Sequence, residues 1–143
     1  RYGIAWGAVG AAQACFDEVI RYCNDRQIYD KPLGSFQITQ TKLANMATEI
    51  TKAQLLVWRL GRLKDAGQMR PQHVSMDKRN NVRMALDVAR ECRTLLGANG
   101  ITLEYQAGRH ACNLETVLTY EGTEEIHGLI LGHEFTGHAA YGA

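Results

Sequence analysis

Apolar residues recur every three or four positions along much of this 143-residue chain. One stripe runs from Ile4 to about Asn24. A second runs from about Phe36 to Lys64, where its steps alternate between three and four residues. This spacing places the apolar side chains on one face of an α-helix. Both segments are therefore predicted to be long helices whose apolar faces pack together.

Proline and glycine residues indicate where the helices begin and end. The two prolines, Pro32 and Pro71, both fall where a helical pattern breaks. Pro71 suits the first turn of a third helix, because that position needs no backbone N–H. Residues 97–100, Gly-Ala-Asn-Gly, are predicted to stop this helix, since glycine adopts left-handed backbone readily. After a mixed segment at 101–119, the last helix is predicted to start near Thr123.

Four long helices with short connections predict an all-α fold, an antiparallel four-helix bundle over residues 1–143. No segment alternates apolar and polar residues as a half-buried strand does. The hydrophobic share of 45% is enough for a sizeable core in one domain. Because the chain begins with Arg1 and not methionine, we expect it to be a piece of a longer protein.

Charge and residue spacing argue against several kinds of partner. The formal net charge is +1, and the basic residues of the third helix are interspersed with acidic ones. These basic residues are therefore predicted to form a solvated face that does not bind nucleic acid. They are Lys78, Arg79, Arg83, Arg90 and Arg93. No apolar run reaches the length of a membrane span. The four cysteines form no C-x-x-C pair, and they are predicted to be reduced. No two histidines are four residues apart, so no metal site is predicted.

The sequence Thr-Tyr-Glu-Gly-Thr at 119–123 is the best candidate for chemistry. It sets Glu121 before a helix, between an aromatic ring and a glycine. A carboxylate in such a place can remove a proton from carbon, provided that its surroundings set its pKa near the working pH. The alternative is a surface carboxylate that interacts favourably with the helix macrodipole. The residues alone leave both interpretations open.

Two connectors are candidates for contact with a ligand. Residues 25–33 place an arginine among aromatic and aliphatic groups, which suits a phosphate-bearing cofactor with a ring system. A simple turn explains the same composition. Residues 97–100 either cap the third helix or bring backbone close to a ligand, and they match no phosphate-loop spacing.

Taken together, these segments resemble the C-terminal helical domain of the acyl-CoA dehydrogenase family. The order and spacing of four segments carry the resemblance: Arg26 to Leu33 with Gln37, Leu43 to Met46, Leu96 to Gly100, and Tyr120 to Thr123. Other segments are most similar to the glutaryl-CoA dehydrogenase branch: 1–7, 60–65, 78–81, 113–115, 121–127 and 129–132. The resemblance covers essentially the whole chain. It implies a longer flavoenzyme with an N-terminal helical domain and a middle β domain, assembled as a homotetramer, a dimer of dimers.

The resemblance also implies roles for individual residues. FAD is the implied cofactor, and an acyl-CoA thioester, glutaryl-CoA in this branch, is the implied substrate. Glu121 matches the family's catalytic base. The substrate-pocket positions are matched by Arg1, Tyr120 and Gly122. The FAD-contacting positions are matched by Arg26, Tyr29, Leu33, Thr94, Leu95, Ala98, Thr123 and Glu125. Of these, Arg26 matches the arginine that meets the phosphates of a partner subunit's FAD.

The resemblance further implies an electron-transfer flavoprotein or another acceptor, and a bacterial cytoplasm or mitochondrial matrix as the location. Some positions depart from the family's pattern. Asp30 stands where glycine is usual, Ala98 replaces a glycine, and His133 stands where arginine is common. Without the β domain, the fragment by itself is expected to be inactive. A different class of function also stays open, namely a helical oligomerisation module without chemistry of its own.

Overall fold

The computed structural model describes residues 1–140. Within them the fold is all-α, as predicted, and its helices are α1 (Tyr2–Asp25), α2 (Gln37–Asp65), α3 (Pro71–Leu95), α4 (Gln106–Thr119) and α5 (Glu124–Thr136). Two 3-10 turns lie in the connectors, at Leu33–Ser35 and Gly97–Ile101. The first connector also holds a small antiparallel hairpin of β1 (Gln27–Ile28) and β2 (Lys31–Pro32).

Helix α3 is the centre of the bundle and contacts each of the other four helices. Its apolar stripe lies in the core, with Val82, Ala85, Ala89 and Cys92 all inaccessible to solvent. Contacts between α2 and α3 run in opposite directions along the two helices. Cys92 meets Met46 near one end, and the Asn81 amide donates to the Ala53 carbonyl nearer the other. The two helices are therefore antiparallel.

The segment at 101–119, described above as mixed, is largely helical. Helix α4 occupies most of it and buries Ala107 and Leu114, while Ala111, Val117 and Leu118 pack partly buried against the core. These five residues recur at helical spacing, so the segment carries an amphipathic pattern that its interpretation as mixed missed. The helix packs against α3 and α1.

Helix α5 exposes much of its apolar surface. Ile126 is 42% and Phe135 75% exposed. The buried residue of this helix is His127. The apolar side of α5 is thus largely a surface of the described chain.

The predicted state of the cysteines fits the structure. Cys15, Cys23 and Cys92 are free and buried, whereas Cys112 is free and exposed. None of the helices in residues 1–140 combines the length and apolar character that crossing a membrane requires.

Candidate active site

Glu121 lies in the short link between α4 and α5, where the backbone takes an uncommon conformation. Glu121 has φ 57° and Gly122 has φ 93°, so two consecutive residues are left-handed. A positive φ is unfavourable for a residue with a Cβ, and such residues cluster at functional sites. The sequence pattern contains no signal for this conformation at Glu121. Residues 1–140 leave the Glu121 side chain 54% exposed.

Arg1 and Glu121, which the resemblance assigns to one pocket, are in contact. The Arg1 Nε donates to the Glu121 carbonyl oxygen at 2.8 Å, across 120 residues of sequence. The same nitrogen lies 3.8 Å from the Glu121 carboxylate, and both side chains are about half exposed. An exposed ion pair contributes little to stability, so the main effect of this contact is on geometry. Tyr120, 47% exposed, lines a groove between α1 and α4 next to them.

Lys78 corrects the prediction of a solvated basic face on α3. Its side chain is only 1% exposed. The Nζ donates to the carbonyl oxygens of Gly122 at 2.7 Å and Leu118 at 3.3 Å. Burial, and secondarily the charge of Arg1, lowers the pKa of Lys78, while the carboxylates of Glu121 and Glu124 raise it. The arginines that follow on α3 do lie at the surface, with Arg79, Arg83 and Arg90 each about half exposed.

His127 is fully buried beside the Glu121 link. Its Nδ1 lies 3.1 Å from the Ser75 hydroxyl. A Cβ at position 122 would lie 2.9 Å from the His127 Nε2, so the close packing and the positive φ both require Gly122. Burial and the charge of Lys78 lower the pKa of His127, which keeps the imidazole neutral at neutral pH.

The predicted start of α5 is confirmed. The Thr123 hydroxyl accepts a hydrogen bond from the Ile126 N–H at 3.3 Å, as an N-cap residue does. Glu124 and Glu125 occupy the first turn of the helix. Glu124 also lies 3.5 Å from Arg83, which links the start of α5 to α3.

The other candidate cofactor residues lie at the opposite end of α1. The hairpin there turns at Tyr29 and Asp30, with φ 51° and 60°, and Tyr29 is 88% exposed. Asp30 therefore adopts the left-handed turn that aspartate was expected to tolerate. The Asn99 amide donates to the Tyr22 hydroxyl at 3.2 Å, so the turn after α3 lies against the end of α1. Arg26 and Asn99 line one groove at this end.

The turn after α3 is at least partly a structural stop. A Cβ at Gly100 would overlap the carbonyl group of Arg93, so this glycine lets the 3-10 turn fold back onto α3. Thr94 and Ala98 are exposed beside it, and Leu95 is half-buried. Within residues 1–140, no group of three or more His, Cys, Asp or Glu side chains is arranged to hold a metal ion.

The chain is therefore a helical domain that presents one carboxylate from a left-handed link between its last two helices. The family model described as acyl-CoA dehydrogenase, C-terminal domain, matches residues 1–135. The chain belongs to the acyl-CoA dehydrogenase family.

Individual relatives agree with this assignment. One similar structure is a glutaryl-CoA dehydrogenase from Mycobacterium smegmatis, solved in complex with FADH2, which is 55% identical in sequence. The superposition has a TM-score of 0.98 and covers 99% of this chain and 37% of that chain. The glutaryl-CoA dehydrogenase of Desulfococcus multivorans is 35% identical over 138 residues, which are 96% of this chain and 36% of the relative. The human mitochondrial short-chain specific acyl-CoA dehydrogenase is 35% identical over 134 residues, which are 93% and 32% of the two chains. The chain thus spans about a third of the length of the relatives it matches.

Proposed function

We propose that this chain is the C-terminal domain of an FAD-dependent acyl-CoA dehydrogenase acting on glutaryl-CoA, and that it supplies the general base and the core of the oligomer. The observation that carries the proposal is the left-handed link at Glu121 and Gly122, fixed by contacts from α3 and α5. It holds a half-exposed carboxylate on a constrained backbone. Such a carboxylate is suited to meet a substrate that another domain encloses.

The link provides two groups for the reaction. A carboxylate oxygen of Glu121 accepts the α-proton of the acyl-CoA thioester. No backbone carbonyl within residues 1–140 accepts the Glu121 N–H, which is therefore free to donate to the thioester carbonyl. This donation stabilises the negative charge that develops on the carbonyl oxygen. When bound, FAD would accept the hydride from the β-carbon. Loss of the second carboxylate as carbon dioxide, with addition of a proton to the γ-carbon, then gives crotonyl-CoA.

The candidate cofactor residues fit FAD in two separate groups. Thr123 and Glu125 lie at the N-terminus of α5, beside Glu121. The exposed Arg26 and Tyr29, with Leu33, Thr94, Leu95 and Ala98, lie at the far end of α1. A helix of 24 residues is roughly 36 Å long. This separation supports FAD sites shared between subunits, in which one chain contributes to its own cofactor and to a partner's, as in a dimer of dimers.

Arg1, Tyr120 and Gly122 border the acyl-CoA pocket in this proposal. An electron-transfer flavoprotein or another acceptor reoxidises the flavin. Three buried free thiols suit a reducing compartment, such as a bacterial cytoplasm or a mitochondrial matrix.

The test is Glu121→Gln in the full-length enzyme. We expect the variant to retain FAD, because the amide preserves the shape of the link, and to lose flavin reduction by glutaryl-CoA. Stopped-flow bleaching of the flavin measures the effect. The matched control is Glu115→Gln, which alters an exposed carboxylate on α4 that pairs with Arg90 of α3. The flavin of this variant should be reduced normally. Normal bleaching in Glu121→Gln would refute the assignment of the base.

A second candidate function is a helical oligomerisation module without catalysis. It is favoured by a groove between α1 and α2 that is bordered by exposed Trp6, Leu55 and Trp58, the last 58% exposed. Exposed apolar surface of this kind is typical of contacts between subunits. The full-length protein separates the two candidates: flavin reduction by glutaryl-CoA favours a catalytic domain, and an oligomer without flavin reduction favours a scaffold.

A further inference from the structure

The ammonium group of Lys78 occupies an energetically unfavourable position. Its side chain is almost completely buried in α3, the helix at the centre of the core. A buried charge is unfavourable unless it is paired or hydrogen-bonded. The acceptors that Lys78 does have, the Gly122 and Leu118 carbonyls, both belong to the segment that carries Glu121.

The two acceptors lie on either side of Glu121. Leu118 is in the last turn of α4, whose free carbonyl groups carry the negative end of the helix dipole. Gly122 is the second left-handed residue of the link. One ammonium group therefore ties the end of α4 to the residue that follows the base. A shift of the link away from α3 would break the 2.7 Å bond and leave the charge buried without that partner.

Neighbouring charges act on the protonation of Lys78. Burial lowers its pKa, and the carboxylates of Glu121 and Glu124 oppose this effect. His127 packs against Gly122. Arg1, whose charge is also close to the link, is half exposed and screened by water.

Resting on the proposed function, we propose that Lys78 is a positioning residue for the catalytic base: its ammonium group holds the Glu121–Gly122 link against α3. Lys78 touches neither substrate nor cofactor in this role. It acts through the backbone on both sides of Glu121.

The test compares Lys78→Met with the parent in the full-length flavoenzyme, using glutaryl-CoA. Methionine keeps an unbranched side chain and removes the charge and the donors. We expect kcat to fall by about 10²-fold, the cost of a small misplacement of a catalytic group, with FAD content retained and KM changed much less. A selective fall in kcat, with FAD content and KM retained, is a split that a loss of stability alone would not produce.

Controls and a second variant keep the test decisive. Lys52→Met removes an exposed lysine that pairs with Glu49, and it should leave kcat and KM unchanged. If Lys78→Met loses FAD, Lys78→Gln, whose donor is neutral and one bond shorter, replaces it with the same expected fall in kcat. A folded Met or Gln variant with the parental kcat would overturn the proposal. Should Glu121→Gln reduce its flavin normally, the proposed function fails; should only the Lys78 variants behave as the parent, the positioning role alone fails.

Discussion

The two ends of the bundle hold their candidate site residues in different ways. At the α4–α5 end, the link that carries Glu121 is fixed by buried groups of the same chain, namely Lys78 from α3 and His127 from α5. At the far end of α1, Tyr29 is 88% exposed and Arg26 has no ion pair within residues 1–140. The proposed function explains this difference, because a catalytic base must meet a reacting atom within a narrow range of positions. Side chains that contact a partner's cofactor can remain exposed until the partner covers them.

Gly122→Ala is expected to have the largest effect on the fixed end. The substitution adds a methyl group 2.9 Å from the His127 Nε2 at a φ of 93°. The link must shift, and we expect kcat for glutaryl-CoA to fall about 10²-fold with FAD retained. Gly67→Ala is the control for backbone strain, because its φ is 68° with open space around it. The control should lose about 1 kcal/mol of stability and no activity. Equal losses of kcat in both variants would contradict the special role of the Glu121 link.

Arg26→Gln probes the exposed end, where a smaller effect of a different kind is expected. The loss of a charge-assisted contact to a phosphate should raise the Kd for FAD by about tenfold or more, since such bonds contribute about 1.5–3 kcal/mol. Turnover at saturating FAD should be preserved. Fluorescence titration of the apoenzyme with FAD measures the Kd, and Arg62→Gln, at an exposed arginine beside Asp65, serves as the control. An unchanged Kd would remove Arg26 from the cofactor site.

Asp77→Asn tests a buried charge without the partners that Lys78 has. Asp77 is fully buried, both carboxyl oxygens lack hydrogen-bond partners within residues 1–140, and burial raises its pKa from 3.8 to about 7. The folded state therefore binds a proton more tightly than the unfolded state. The stability due to this group is present below pH 4 and declines as the pH rises to 7, by a few kcal/mol at most.

The measurement for Asp77 is the Tm of the full-length enzyme at pH 5 and at pH 8. The parent should lose more stability than Asp77→Asn over this interval, because the amide cannot ionise. Asp87→Asn, at an exposed position on the same helix, should follow the parent. If Asp77→Asn and the parent declined in parallel, Asp77 would not titrate in this range.

The candidate site was only partly predictable from the sequence. Thr123 as N-cap was predictable, because its hydroxyl bonds to the backbone a few residues away. The burial of Lys78 was not, since its acceptors lie 40 and 44 residues further along the chain. A lysine beside Asp77 and Arg79 has the local pattern of a solvated face, and only the position of α4 above α3 makes it a buried donor.

The sequence by itself determined the long helices, the α3 stripe and the stops at 97–100, because periodic burial and backbone preference act over a few residues. Tertiary structure decided that α5 buries His127 and exposes Phe135, and that Lys78 contacts the Glu121 link. These outcomes depend on which distant surfaces meet. Hydrogen bonds and burial between segments remote in sequence leave no periodic trace along the chain.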